Sequence, residues 1–315
     1  MPEEHYRWLS QDHLLNFDEV VRLVDIFTAL GVRRVRLTGG EPLLRRDLDR
    51  LVRLLAANPL IEDLALTTNG ILLAEHAKAS HCAGLHRVTV SLDTLRPERF
   101  LSLTRRNGHT RVLEGIAAAR RAGFSGTKAD AVIIRGINDD EMSGLIEFGR
   151  ANDVEVRFVE YMDVPGATKW NMGNVFSRVE MLATLERRYG KITALGSDSS
   201  APASRFLMSD GTVFGIIAST TDPFCARCDR SRLTADGMWY RCLYAVGGTD
   251  LRSLLRGGAP RDEIAARIAD LVGNLWHARR DRGAEHRKAE HGRSAFVPLD
   301  TFLSDPHFEM HTRGG

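Results

Sequence analysis

Between residues 33 and 161 the chain alternates short β-branched runs with helix-period stretches, joined by links of a few residues. That alternation admits few folds, because consecutive strands connected through helices lie parallel in one sheet. The strand runs are 33–38, 64–68, 87–91, 128–134 and 154–161, and the helical ones are 47–57, 72–80, 110–122 and 140–151. A helix over 17–30 precedes them, opened by Asn16 with Glu19 three positions on and closed by Gly31.

Side-chain parity separates a doubly wound open sheet from a curved one. Arg34, Arg36 and Thr38 share one face of their run, Thr89, Ser91 and Asp93 share another, and Lys128 and Asp130 lie with Val132. A doubly wound sheet covers both faces with helices and reads as nearly continuous apolar runs, whereas an incomplete barrel turns a wet face inward. The parity therefore predicts an α/β fold of the parallel (β/α)6 TIM-like barrel type, incomplete, with a polar interior. A one-residue slip in register would exchange the faces.

Beyond about residue 165 the pattern changes. Val164-Pro-Gly-Ala reads as a turn, 179–189 as a helix, and 191–195, 204–208, 212–219 and 238–244 alternate like antiparallel strands, with Ser209-Asp-Gly as a hairpin turn. A helix over 261–280 follows. We read a partial barrel over 1–165 and a smaller C-terminal α+β domain over 166–315.

Cys225, Cys228 and Cys242 stand in C-x2-C-x13-C spacing, with Arg230 and Arg232 just after the second cysteine. Three thiolates beside two cations suit a metal centre with one open coordination position and an anion nearby; the alternative is a zinc ribbon whose fourth ligand arrives from elsewhere. Clustered cysteines suit a reducing compartment better than a disulfide framework, and Cys82 is read as a small buried residue. Hydrophobic residues make up 43% of the 315, no run has the length of a membrane span, nothing at the start reads as a secretory signal, and a net charge of +2 does not argue for nucleic acid. These points place the chain in the cytoplasm.

Thr38-Gly39-Gly40-Glu41-Pro42 falls where a strand ends and a helix is about to begin. Its glycines let backbone approach a ligand, and Glu41 suits an ammonium group; a plain tight turn is the other reading. Thr67-Thr68-Asn69-Gly70 and Val90-Ser91-Leu92-Asp93 end the next two strands, the end at which barrels place their sites. Arg36 faces inward and, with Lys128, Arg230 and Arg232, suits a polyphosphate cradle; otherwise it is exposed or paired with Asp93 or Asp130. Neither a P-loop nor a Rossmann fingerprint occurs.

These motifs, together with Phe158-Val159-Glu160-Tyr161-Met162, C-x2-C-D-R-S-R and the terminal Gly314-Gly315, resemble in order and over the whole chain the GTP 3′,8-cyclase family of radical S-adenosylmethionine enzymes in molybdenum cofactor biosynthesis. The resemblance implies an incomplete barrel, a radical formed from S-adenosylmethionine at an N-terminal [4Fe–4S] cluster, and cyclisation of GTP between C3′ and C8. It implies a second [4Fe–4S] cluster on Cys225, Cys228 and Cys242 with guanine at its open iron. Gly39, Gly40, Glu41, Ser91 and Met162 match its S-adenosylmethionine segments, while Arg36, Thr67, Lys128, Arg230, Ser231 and Arg232 match its GTP contacts. Gly314 and Gly315 match a tail that enters the site. An electron donor, the next enzyme of the pathway and a homodimer are the implied partners, with no nucleic acid and no membrane.

The family's C-x3-C-x2-Y-C segment and first barrel strand have no counterpart in this sequence, and Met1-Pro2-Glu3-Glu4 resembles the family's residues just after that segment's last cysteine. The chain as written is therefore expected not to cleave S-adenosylmethionine. The rival readings are a non-catalytic relative that binds GTP and one cluster, another radical enzyme with an auxiliary cluster, and a zinc-stabilised α/β protein.

Overall fold

A computed structural model describes residues 8–163, 170–196, 200–290 and 305–314. The turn expected at Val164 and the terminal Gly315 lie outside the described residues. The chain enters through α1 (Phe17–Ala29), whose N-terminus carries a reciprocal cap: Asn16 accepts from the Glu19 N–H, and the Glu19 carboxylate accepts from the Asn16 N–H. Five strands follow, β1 (Arg34–Leu37), β2 (Asp63–Thr68), β3 (Arg87–Ser91), β4 (Lys128–Ile133) and β5 (Glu155–Glu160), interleaved with α2 (Leu48–Ala56), α3 (Leu73–Cys82), α4 (Pro97–Thr104), α5 (His109–Ala122) and α6 (Met142–Asn152). Sequence pattern had missed α4. Proline at its first helical position supplies the start, since its missing N–H would be unsatisfied there anyway.

β1 to β5 pair in parallel in chain order, and β1 forms the edge of the sheet among the described residues. Past α7 (Arg178–Tyr189), β6 (Ile192–Leu195), β7 (Ser204–Met208) and β8 (Val213–Ile217) run antiparallel to one another, with Gly211 at φ +90° in the β7–β8 turn. β8 then pairs in parallel with β5, so the order is β1-β2-β3-β4-β5-β8-β7-β6 and one sheet takes strands from both of the expected domains. The expected strand over 238–244 is shorter: β10 (Met238–Tyr240) sits between β9 (Arg232–Leu233) and β11 (Thr249–Asp250) in a small separate sheet.

Burial follows the parity argument. Leu64, Leu66, Val88, Val90, Ala129, Ala131, Val156, Phe158 and Ile216 point to the helices and are buried in one core. Their strand neighbours Arg36, Thr67, Lys128, Asp130 and Arg157 point to the other face. Each large apolar side chain so buried contributes about 1.5–3 kcal/mol, whereas its polar neighbour stays solvated or finds a charged partner. α1 is shared between cores. Its Leu23 and Ile26 join Leu15, Trp239, α8 (Leu251–Leu255) and α9 (Arg261–His277) in a second apolar cluster, and Arg256 clasps Glu19 across that junction. α10 (Gly283–Glu290) and a last helical turn, α11 (Met310–Arg313), complete the described chain.

Cys82 is exposed, against expectation. It closes α3, whose inward stripe is Leu73, Ala77 and Ser80; two positions beyond Ser80 the side chain has rotated to the solvent side.

Candidate functional site

The Thr38–Pro42 turn is stitched to the end of β2 by its own glutamate. The Glu41 carboxylate accepts from the Leu43 N–H (3.0 Å), the Thr68 hydroxyl (2.7 Å) and the Asn69 N–H (2.7 Å). Three donors leave this carboxylate little capacity for an outside ammonium group, so its visible work is to hold Gly39 and Gly40 in place. Gly39 takes φ +137°, and Gly70, at φ +81°, lies where a Cβ would come within 2.8 Å of Val90. Both loops therefore require glycine.

Below these loops the inner sheet face forms a cationic cradle. Arg36 donates to the hydroxyls of Thr67 (2.8 Å) and Thr89 (3.2 Å), and Lys128 and Arg157 come next on β4 and β5. Arg36 is not ion-paired with Asp93 or Asp130. Asp93 instead accepts the Val132 N–H at 2.8 Å, and Asp130 acts on Arg36 only through its field. Burial, then Arg87, pulls the Arg36 pKa below its ordinary value. Burial, then Arg157, pushes Lys128 down to about 8. Asp130 is raised by burial against the pull of Arg157 and Arg36, and its Oδ1 has no hydrogen-bond partner among the described residues. Arg36 and Lys128, whose positive charges burial disfavours, are poised to take up an anion, while Arg157 is ion-paired with Glu155 at 3.1 Å. Arg157 escaped sequence reasoning, although the parity used for β3 and β4 applies equally to β5.

Cys225, Cys228 and Cys242 are free, partly buried thiols held by loops and by the start of α10. Backbone N–H groups of Ala284 and Glu285 point at Cys225, whose pKa is nevertheless raised, burial being the main cause. At Cys228 burial is outweighed by the Arg230 N–H and the charges of Arg230 and Arg279, and the thiol is lowered. A Cβ on Gly283 would reach Cys242 Sγ at 3.0 Å, so this glycine keeps that sulfur accessible. Arg232, which feels Cys228 and Cys242, is pushed down to about 10 by burial and then Arg230; Arg230 lies 4.8 Å above the Phe224 ring. The Nε atoms of both arginines are buried without a partner among the described residues.

Among those residues no three Cys, His, Asp or Glu side chains converge closely enough to hold a single ion. A lone zinc needs its ligands on one atom, whereas a four-iron cluster seats each thiolate on a different iron. Three thiols, with backbone N–H groups aimed at Cys225, are the kind of donor set that suits an iron–sulfur group. Ser91 ends β3 beside Asp130, Met162 lies two residues beyond β5, and Ser231 is exposed between the two arginines.

The C-terminal segment connects these parts. A Cβ on Gly314 would strike Thr38 Cγ2 at 2.5 Å, one on Gly40 would meet Trp8 at 3.0 Å, and the Trp8 and His311 rings stand 4.5 Å apart. Arg313 reaches from the same segment to the Leu243 carbonyl at 2.8 Å, next to Cys242. Sequence offered no signal for these anchors beyond the final glycines. No helix among the described residues is long and apolar enough to cross a membrane.

Comparison with known proteins gives matches to two family models, Radical SAM superfamily over residues 4–149 and Molybdenum Cofactor Synthesis C over 154–284. The chain is 53% identical over 319 residues to GTP 3′,8-cyclase 1 of Mycobacterium tuberculosis, covering 100% of this chain and 88% of the relative. It is 48% identical over 289 residues to GTP 3′,8-cyclase of Streptomyces coelicolor (90% and 84%) and 39% identical over 321 residues to that of Rhodopirellula baltica (100% and 84%). A solved structure described as native anSMEcpe with bound AdoMet superposes with a TM-score of 0.50 at 13% identity, covering 78% of this chain and 72% of that one, a likeness of fold alone.

Proposed function

The chain belongs to the GTP 3′,8-cyclase family, a radical S-adenosylmethionine family of molybdenum cofactor synthesis, and from that premise we propose how its residues serve the reaction. GTP lies against the inner sheet face, its phosphates met by Arg36, Lys128 and Arg157 and by Arg230 and Arg232, with Thr67 and Ser231 as hydroxyl partners. The observation that carries this reading is the pair Arg36 and Lys128 on the inner face, two cations that burial disfavours and that have no carboxylate partner among the described residues, whereas Arg157 beside them is ion-paired with Glu155 at 3.1 Å. Cys225, Cys228 and Cys242 hold a [4Fe–4S] cluster, which when bound supplies an open iron for the guanine. S-adenosylmethionine lies across the Gly39–Glu41 turn, Ser91 and Met162, with Glu41 acting mainly through the backbone it fixes. The protein's share of the chemistry is to bind, orient and exclude water. A partial barrel over 1–165 and an α+β part over 166–315 share one sheet in this arrangement. An electron donor, hand-over of the product to the next enzyme, a homodimer and a cytoplasmic setting complete the reading.

Residues 1–315 offer a single three-cysteine set, Cys82 being remote in sequence and exposed. A polypeptide of just these residues, reconstituted with iron and sulfide, is accordingly expected to bind GTP in preference to ATP yet release no 5′-deoxyadenosine. Calorimetric titration checks the first part, and failure to bind GTP sinks the assignment of the cradle. The pH profile adds a residue-level test. Affinity should hold below pH 8 and fall as Lys128 deprotonates above it, because an anion is favoured by the charged ammonium. Burial favours the neutral form of Asp130, which spares the phosphates a facing negative charge. Lys128→Arg should flatten the fall; a wild-type profile already flat from pH 7 to 9 would remove Lys128 from the contact set.

A further inference from the structure

The final described segment is fastened by a set of contacts that neither the cradle nor the cysteine loop requires. The His307 ring lies between two carboxylates: Nδ1 stands 2.7 Å from Asp305 Oδ1 and Nε2 stands 2.7 Å from Asp236 Oδ2. Only an imidazolium can donate at both nitrogens, so the geometry itself selects the charged ring. Asp236, 4% exposed, also accepts from the Thr234 hydroxyl. Six residues on, Arg313 is 3% exposed and donates to the His307 and Leu243 carbonyls, its guanidinium 4.3 Å from the Tyr240 ring and 5.3 Å from that of Phe308. A buried guanidinium with two carbonyl and two aromatic partners is costly to move once placed. Directly after it comes Gly314, at φ +76° against Thr38.

We propose that Asp236, His307 and Arg313 are positioning residues, a clamp that sets the C-terminal backbone against the Thr38–Glu41 turn and thereby shapes the nucleotide site. This rests on the GTP reading above. The clamp acts through Gly314 and touches no reacting atom.

The clamp is sensitive to pH in a definite direction. His307 is raised above the ordinary histidine value, first by Asp236 and then by Asp305, with burial opposing; the other charged or titratable groups facing it are Arg313, bonded to its carbonyl, and Tyr240, whose ring centroid is 6.5 Å away. A raised histidine contributes its full stabilisation below the value of the free side chain and loses it as pH climbs through the raised one. The tail should therefore loosen on the alkaline side of neutrality.

Hydrogen exchange of peptides covering 305–314 in cluster-loaded full-length protein tests this, read beside the GTP dissociation constant. His307→Gln, which keeps one donor and no charge, and Arg313→Lys are expected to exchange about tenfold faster in this segment and to bind GTP several-fold more weakly, with the rest of the map unchanged. Wild-type protection should fall between pH 7 and 9 and that of His307→Gln should not. Unchanged protection in both variants, or the same pH profile in wild type and His307→Gln, overturns the clamp whatever GTP does. Faster exchange with unaltered GTP affinity also overturns it, since the tail would then be docked for another reason. A wild-type protein that shows the exchange effects but binds no GTP leaves the clamp standing as a tail anchor and refutes the nucleotide reading instead.

Discussion

Cys228→Ala is expected to leave a folded protein that retains almost no iron after anaerobic reconstitution. The three cysteines stand on loops outside both apolar clusters, so removing a thiol takes little from the folded state. For a cluster the loss is severe. Only three protein thiolates are on offer, and since even partners behind metal ligands are worth 10- to 100-fold, losing a direct ligand should cost more than about a hundredfold in retention. Cys228 is the most exacting of the set, because the Arg230 N–H and the charges of Arg230 and Arg279 already favour its thiolate over the burial that opposes it. Cys225→Ala and Cys242→Ala should behave alike, and Cys82→Ala should change nothing, its side chain being exposed at the end of α3. Iron and acid-labile sulfide per chain, with visible absorbance, are the measurements. Full iron content in Cys228→Ala, or its loss in Cys82→Ala, would show that the metal sits elsewhere; zinc in place of iron would restore the ribbon reading.

How far the sequence alone reaches depends on how local the controlling interactions are. Strand and helix alternation between β1 and β5 was legible because burial of one strand face imposes a period of two, and a missed register would have put Leu66 or Val90 in water. The same periodicity placed Arg36 and Lys128 on the polar face, and extended to β2 and β5 it would have added Thr67 and Arg157. The parallel pairing of β8 with β5 was not legible, since Arg157 and Gly215 meet across a long connection and nothing in either strand names the other. The clamp was hidden for the same reason: His307 and Asp236 are 71 positions apart. Glu41 illustrates a different limit. Its motif marks the turn correctly, yet the carboxylate spends its capacity on Leu43, Thr68 and Asn69, a fact of geometry that the motif cannot express. Sequence pattern thus marked the turns and the sheet face, while the bonds that hold them in place had to be seen.

Arg36→Ala is expected to weaken GTP binding by about ten- to a hundredfold, while the protein's melting temperature stays level or rises. The two halves come from the same environment. On the binding side, a guanidinium facing phosphate makes charge-assisted hydrogen bonds worth about 1.5–3 kcal/mol, and each 1.4 kcal/mol is a tenfold change in dissociation constant. Thr67 and Thr89 aim that guanidinium, so it needs no reordering when the anion arrives. On the stability side, the Arg36 pKa is depressed, burial being the main cause and Arg87 the next, with Arg157 adding to it. A cation whose folded-state pKa lies below its unfolded one opposes folding at every pH at which it is charged, so its removal relieves the empty site. Arg36→Lys should fall between, keeping the charge but losing the planar fork that two hydroxyls and a phosphate can share. Titration calorimetry and thermal melts on the same preparations decide the matter. Unchanged affinity would take Arg36 out of the nucleotide site, and a marked drop in melting temperature would mean that Thr67 and Thr89 need it as a structural donor, making its place at the centre of the cradle a matter of folding and not of binding.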